Sequence, residues 1–195
     1  MKLKSFLLPI TEAKVIFSKI IIFWPSTPFG TWLRRNYYGR YMRSMGINNV
    51  LESGVRFGVL SIIDMGSNCI FGRNVNINSG NCKGIFIGDG VAISNGAYIR
   101  SAIHRFDRID LSILDQGYKA AEILYRDSTY SIVIEDGVWI GSYAIILSGA
   151  HIGEGSMISA GALVTNKIPP YSIVVGNPGR VIGNRKKNLE NNEKI

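Results

Sequence analysis

IEDGVW-IGSYAI-ILSGAH-IGEGSM-ISAGAL-VTNKIP, residues 134–169, divides into six consecutive hexads. The first position reads Ile134, Ile140, Ile146, Ile152, Ile158 and Val164; the fifth reads Val138, Ala144, Ala150, Ser156, Ala162 and Ile168. At 46% hydrophobic content, six apolar first positions in a row arise by chance about once in a hundred, and restriction to Ile or Val makes chance rarer still. A strand changes face every two residues and a helix returns after about 3.6, so neither gives a strict six. Six residues do make one short extended face and a corner, and three such faces close a triangular coil of about 18 residues. The first-position aliphatic then points into the prism and stacks on its counterpart one coil away. The fifth also faces inward but sits beside a corner, where only a small or β-branched side chain fits. Glycine, asparagine and aspartate between them supply the unusual backbone angles of the corners. The frame therefore predicts an all-β chain wound as a parallel β-helix. An antiparallel sandwich would space its strands irregularly and alternate with period two, which residues 134–168 do not.

The same frame runs earlier through Met65, Phe71 and Ile77, and resumes at Ile87, Ile93 and Ile99. LESGVR and FGVLSI, from Leu51, read as a worn first coil. Residues 105–133 leave the frame and rejoin it; a polar, aromatic-containing excursion from a rigid solenoid is where function is usually placed. The division expected is an apolar and basic helical segment 1–46, the β-helix 47–183, and a solvated or disordered tail 184–195.

A length of 195 residues suits one domain with a short appendage, and 46% hydrophobic against 18% charged residues excludes a disordered or coiled-coil chain. The 22 glycines lack the triplet period of collagen. Two cysteines, Cys69 and Cys82, are too few for a disulfide framework and point to a reducing compartment. The early apolar stretch lacks a small-residue cleavage site, and Lys14, Ser18 and Lys19 interrupt it before ~18 apolar residues accumulate. A cytoplasmic location follows as the expectation, at the inner face of the cell membrane if residues 1–46 touch lipid. The net charge of +8 belongs to the ends: residues 1–49 carry eight Lys/Arg against Glu12 alone, whereas residues 50–175 are slightly acidic. Nucleic-acid binding is therefore not implied for the main body. Residues 1–46 admit two readings. One is a peripheral membrane contact, with Trp24, Phe29 and Trp32 at the interface and arginines facing anionic headgroups. The other is a helix that caps the open end of the solenoid or packs on a neighbouring subunit. The composition favours the first.

Only two histidines are present. His151 is the sixth residue of a regular hexad and reads as an outward structural group; His104 stands at the mouth of the excursion, where a functional role is favoured. A catalytic zinc with three nitrogen ligands cannot be built from two histidines, and no metal is expected. No Walker loop, dinucleotide fingerprint or serine elbow occurs, so a histidine general base is the best-supported chemistry.

The frame together with residues 132–182 resembles the hexapeptide-repeat acyltransferases. It is similar to the galactoside and maltose acetyltransferases and closer to the acetyltransferases of bacterial O-antigen and capsule sugars. The likeness covers roughly residues 47–183, and is most specific at VWIG (138–141), TNKIPPYSIVVGNPGRVI (165–182) and IHRFD…QG (103–107, 116–117). It implies a left-handed β-helix, a homotrimer with sites in the grooves between subunits, and acetyl-CoA lying along a groove with its thioester near a loop histidine. By the same resemblance His104 matches the general base, and the backbone N–H of Ser142 the oxyanion donor. Trp139 matches the aromatic shaping the site, and Ala160 a backbone contact to the pantetheine arm. Thr165, Lys167 and Arg180 match positions near the nucleotide and phosphates, and Asn78 an acceptor-site asparagine. Asp107, three residues beyond His104, is the expected group to orient it, with a backbone carbonyl as the alternative. The segment after Asn78 is shortened to SGNCKG, so the acceptor specificity of the galactoside enzymes does not transfer. The expected activity is acetyl transfer from acetyl-CoA to a sugar hydroxyl of a surface polysaccharide or its precursor. The alternatives are N-acetylation of a nucleotide-linked amino sugar, a non-catalytic scaffold, and a nucleotidyltransferase, which the absence of a separate nucleotide-binding domain disfavours.

Overall fold

First-position aliphatics need an apolar interior at every sixth residue, and the chain provides it by winding as a left-handed parallel β-helix. The computed structural model describes residues 10–80 and 82–186, with side chains of the first helix from residue 15; expectations for residues 1–9 and beyond 186 lie outside these. Face A stacks the strands Ser44–Met45, Ile63–Met65, Ile85–Ile87, Ile132–Ile134, His151–Ile152 and Lys167–Ile168. Face B stacks Val50–Leu51, Ile70–Phe71, Ala92–Ile93, Trp139–Ile140, Met157–Ile158 and Ser172–Val175, closed by Arg180–Asn184 running antiparallel. Face C stacks Arg56–Phe57, Asn76–Asn78, Tyr98–Arg100, Ile145–Leu147 and Leu163–Val164.

The registers place each first-position residue on its counterpart: Met65 on Ile87, Ile87 on Ile134 and Ile134 on Ile152 along face A. Phe71, Ile93, Ile140 and Ile158 line face B, and Ile77, Ile99, Ile146 and Val164 line face C. The fifth-position residues Val91, Ala97, Val138, Ala144 and Ala150 have no exposed surface. Cys69 occupies the same position; burial pushes its thiol up to about 11, so it is a small core side chain and not a nucleophile. One expectation is corrected. Ile168 pairs with Ile152 and takes the first-position role, not the fifth, because the corner after Val164 closes in four residues where the frame has six.

The second and fourth hexad positions divide the demands of the corner. Fourth-position residues, from Asn68 and Asn74 to Gly137 and Gly155, hold the left-handed backbone. Second-position glycines are required for space: a Cβ on Gly141 would lie 2.5 Å from the Ala160 nitrogen, and one on Gly153 2.5 Å from the Pro170 nitrogen.

Two helices, α1 (Ile10–Phe23) and α2 (Pro28–Gly39), precede the first coil. Thr27 caps α2 by accepting from the Gly30 N–H at 3.1 Å, with Pro28 at the first helical position, where its missing N–H costs nothing. In a parallel ladder alternate residues bond to opposite neighbours, so the first coil leaves carbonyls facing away from the stack. α2 supplies their donors. Buried Arg34 donates to the Leu51 and Trp24 carbonyls, each at 2.6 Å, and the Tyr38 hydroxyl donates to the Val55 carbonyl at 2.8 Å. The capping reading of this segment is thus realised by α2.

The excursion leaves face C after Arg100 and rejoins face A at Ile132. Ile103–His104 pairs antiparallel with Tyr118–Lys119, and Ile123–Tyr125 with Ser128–Tyr130. The second hairpin folds onto face A, with the Tyr125 and Tyr130 rings 4.9 and 5.6 Å from Phe86. Tyr130 also donates to Asp64, which accepts from Arg43 and Ser44 and so ties the first coil, the second coil and the hairpin together.

Candidate active site

His104 is delivered by the third coil. The Ser101 amide and hydroxyl both donate to the Asn78 carbonyl, at 3.1 and 3.0 Å, turning the chain off face C. This brings Asn78 and His104 to the same edge of the prism, between faces C and A. The His104 ring is half-buried and packs on Tyr118 with centroids 4.4 Å apart. Its Nδ1 is buried and has no hydrogen-bond partner among the described residues. Asp107 does not orient it: both its carboxylate oxygens accept from Arg105, at 3.1 and 2.7 Å. Hydrogen bonds from that guanidinium, with a backbone contribution, hold Asp107 down at about 2. The reason is local, since the two side chains stand two apart on an extended exposed segment and meet before either can reach the histidine. No backbone carbonyl of the described residues fills the role either. The Gln116 of the QG pair acts as a clamp, accepting from the Arg108 N–H and donating to the Arg108 and Leu111 carbonyls across the loop tip. Beside Tyr118 opens a cavity of about 510 Å³, bordered by Cys82, Lys83, Lys119 and Glu122.

Trp139, Ser142 and Ala160 lie elsewhere, along the edge between faces B and C. Trp139 projects from face B and its Nε1 donates to the Ser94 hydroxyl at 3.0 Å. Ser142 follows at the corner, Ala160 stands one coil above it, and the Gly161 N–H donates to the Ser142 carbonyl at 2.9 Å. At several other corners, though not at Asn95 or Asp136, the third-position N–H is capped from the next coil: Ser67 by the Asp89 carboxylate at 2.6 Å, Arg73 by the Asn95 side chain at 2.8 Å. Ala160 carries no such oxygen, and the Ser142 N–H is left without an acceptor among the described residues. Arg180 sits at the top of this edge on the closing strand, one residue after Gly179, whose N–H donates to the Leu163 carbonyl. Thr165 and Lys167 instead stand two coils above His104 on the C–A edge, and both are exposed.

The nine candidate residues therefore form two groups, one edge carrying Asn78, His104, Asp107, Thr165 and Lys167, the other Trp139, Ser142, Ala160 and Arg180. Face C, whose strands run two or three residues with a corner at each end, separates the two edges by roughly 10 Å. Within one chain His104 and the Ser142 N–H cannot meet on the same atom. Tyr143 was not singled out by sequence reasoning. It holds a left-handed backbone at φ 58°, is 71% exposed beside Ser142, and lays its ring on Gly96 one coil below. Its signal was an aromatic at the frame position otherwise given mainly to glycine or asparagine. His151 is structural as read, but not among ordinary surface groups: it bonds Glu135 at 2.6 Å beneath the Tyr125 ring.

Residues 131–166 match the bacterial transferase hexapeptide family (six repeats), and residues 49–101 match the hexapeptide repeat of succinyl-transferase. A probable acetyltransferase of Mycobacterium tuberculosis is 35% identical over 139 residues, 71% of this chain and 40% of its own length. The chain spans about half or less of the curated relatives it matches. A galactoside acetyltransferase in complex with coenzyme A superposes with a TM-score of 0.57 at 26% identity, covering 95% of this chain and 88% of that one. AntD, an N-acyltransferase from Bacillus cereus in complex with dTDP and 3-hydroxybutyryl-CoA, gives 0.60 at 24% identity over 77% of each chain, a likeness of fold.

Proposed function

The chain belongs to the hexapeptide-repeat acyltransferase superfamily, and from that premise we propose that it transfers an acetyl group from acetyl-CoA to a sugar hydroxyl of a bacterial surface polysaccharide or its precursor. The site is shared between copies of a homotrimer. The C–A edge of one copy brings His104 and Asn78, and the B–C edge of its neighbour brings Trp139, Ser142 and Ala160. The observation that carries this reading is the division of the candidate residues between two edges, each chemically incomplete. One has a base with no electrophile donor, the other a free N–H with no base. Apolar side chains left open on the loop beside His104, Phe106, Ile109, Ile113 and Leu114, supply a surface for a second copy to cover.

His104 takes the proton from the acceptor hydroxyl as its oxygen attacks the thioester carbonyl. The Ser142 N–H receives the negative charge that develops on the carbonyl oxygen. As the carbon–sulfur bond breaks, the imidazolium returns the proton to the departing sulfur. Tyr118 fixes the ring plane, and the cavity beside it offers room for the acceptor. Thr165, Lys167 and Arg180 provide hydrogen bonds and positive charge for the anionic end of the donor.

The test is acetyl-CoA binding by calorimetry together with slow thioester hydrolysis in wild type and His104→Ala. Mixing His104→Ala with Ala160→Trp then asks whether the site is shared. Random trimers of two inactive variants regain about a quarter of wild-type sites if each site takes one edge from each copy. Binding with His104-dependent hydrolysis and recovery on mixing supports the reading. No binding to the intact assembly, or no recovery on mixing, overturns the enzyme or the shared site respectively. Amine acceptors are offered in the same assay, since the proton transfer is the same for both.

A further inference from the structure

α1 is apolar on more than one side. Ile21 is buried, yet Val15, Phe17, Ile20 and Phe23 leave half or more of their surface open, as do Phe29 and Trp32 of α2. Trp24, Phe29 and Trp32 form one aromatic cluster, with Phe29 5.8 Å from each neighbour, stacked on Trp32 and edge-on to Trp24. Such a face needs a partner, and the charge around it selects which. From Ala13 to Leu51 there is no acidic residue, against six lysines and arginines. Arg35 and Arg40 border a groove of about 480 Å³ beside the face and make no ion pair among the described residues. A second copy of this segment would bring like charge against it, whereas an anionic lipid surface complements it. The 14 described residues of α1 span ~21 Å against a hydrocarbon core of ~30 Å, and no described helix is long and apolar enough to cross a membrane.

We propose that the outer face of the α1–α2 cap docks on a bilayer containing anionic lipid, its apolar and aromatic side chains entering the headgroup boundary and Arg35 and Arg40 engaging phosphates. Arg34 makes the docking rigid with respect to the β-helix, because its guanidinium joins the α1–α2 turn to the first coil. One helix diameter and two coil spacings put His104 roughly 20 Å above the lipid surface. The site thereby faces acceptors carried on lipid.

The test is co-sedimentation of the full chain with vesicles of phosphatidylcholine alone or with one third phosphatidylglycerol, with intrinsic tryptophan emission as a second readout. Wild type should pellet with the anionic vesicles, release as salt is raised, and shift its emission to shorter wavelength. Neutralising both arginines, Arg35→Gln with Arg40→Gln, should weaken binding about 30-fold, and Phe29→Ser with Trp32→Ser should abolish it. Thioester hydrolysis should stay unchanged in both, which separates failure of the docking from failure of the proposed activity. Binding no stronger to anionic than to neutral vesicles overturns the proposal. So does a change of assembly mass by light scattering in the aromatic variant, which would assign the face to a second copy. The charge variant keeps the test decisive if the aromatic variant unfolds.

Discussion

Gly141→Ala tests the spacing of the coils and the location of the donor site together. The added Cβ would stand 2.5 Å from the Ala160 nitrogen and 2.8 Å from the Ser159 carbonyl carbon, about 0.9 Å inside ordinary contact. Both neighbours are backbone, so no rotamer change relieves the overlap, and the two coils must part at that corner. Overpacking against rigid atoms belongs at the upper end of its usual range, about 3 kcal/mol. For a chain of this size that lowers Tm by ~6–12 °C. Gly153→Ala is the matched control, with the same 2.5 Å approach to Pro170 but on the A–B edge. Gly137→Ala separates strain from crowding: its nearest atom is 4.0 Å away, and its φ of 64° costs a side chain about 1 kcal/mol. Melting curves should therefore show equal large losses for Gly141→Ala and Gly153→Ala and a third of that for Gly137→Ala. Calorimetry should show a tenfold or greater loss of acetyl-CoA affinity in Gly141→Ala alone. Equal affinity losses in the first two variants would refute the placement of the donor on the B–C edge, and unchanged melting would refute the steric argument.

Replacing Arg34 by leucine strands the Leu51 and Trp24 carbonyls without donors; with the relief of burying the guanidinium set against this, stability should fall by about 3 kcal/mol, read by denaturant titration. Burial alone would raise the pKa of Asp64, but hydrogen bonds from Arg43, Tyr130 and Ser44 outweigh it and hold the group below its ordinary value. Its contribution to stability is then present above the unfolded value near 3.9 and lost as pH falls through the folded one. Tm should drop below about pH 4 in wild type and change less in Asp64→Asn, which starts lower at neutral pH; parallel curves would count against a contribution from Asp64. Tyr143→Asn should keep Tm within ~2 °C, because asparagine accepts the left-handed backbone, yet weaken acetyl-CoA binding if the ring borders the donor groove.

The prism was readable because its interior imposes the same requirement at every sixth residue, so Ile134, Ile140 and Ile146 announce three faces between them. The shortened corner was not, since Ile168 is apolar and fits the fifth position of one frame and the first position of the next. Arg34 reads in sequence as one more basic residue among aromatics. Its burial follows from carbonyls left over at the end of a stack, which belong to the assembled coil and to no local pattern. His104 stands out in the sequence by its place at the mouth of the excursion, but its surroundings do not. Asp107 has the spacing to serve it and is taken first by Arg105, a competition that composition does not reveal. The separation of Ser142 from His104 depends on which corner each hexad turns, and one frame slip would reassign it.

A β-helix is in principle endless, because the top of each coil is the template for the bottom of the next. The Leu51 and Val55 carbonyls are such a template, and Arg34 and Tyr38 occupy them with side chains that offer no further strand. At the other end Arg180–Asn184 reverses direction and breaks the parallel series. Among the described residues these two stops close the stack at both ends. Loss of the lower one should be expected to show itself as end-to-end growth before it shows itself as loss of secondary structure.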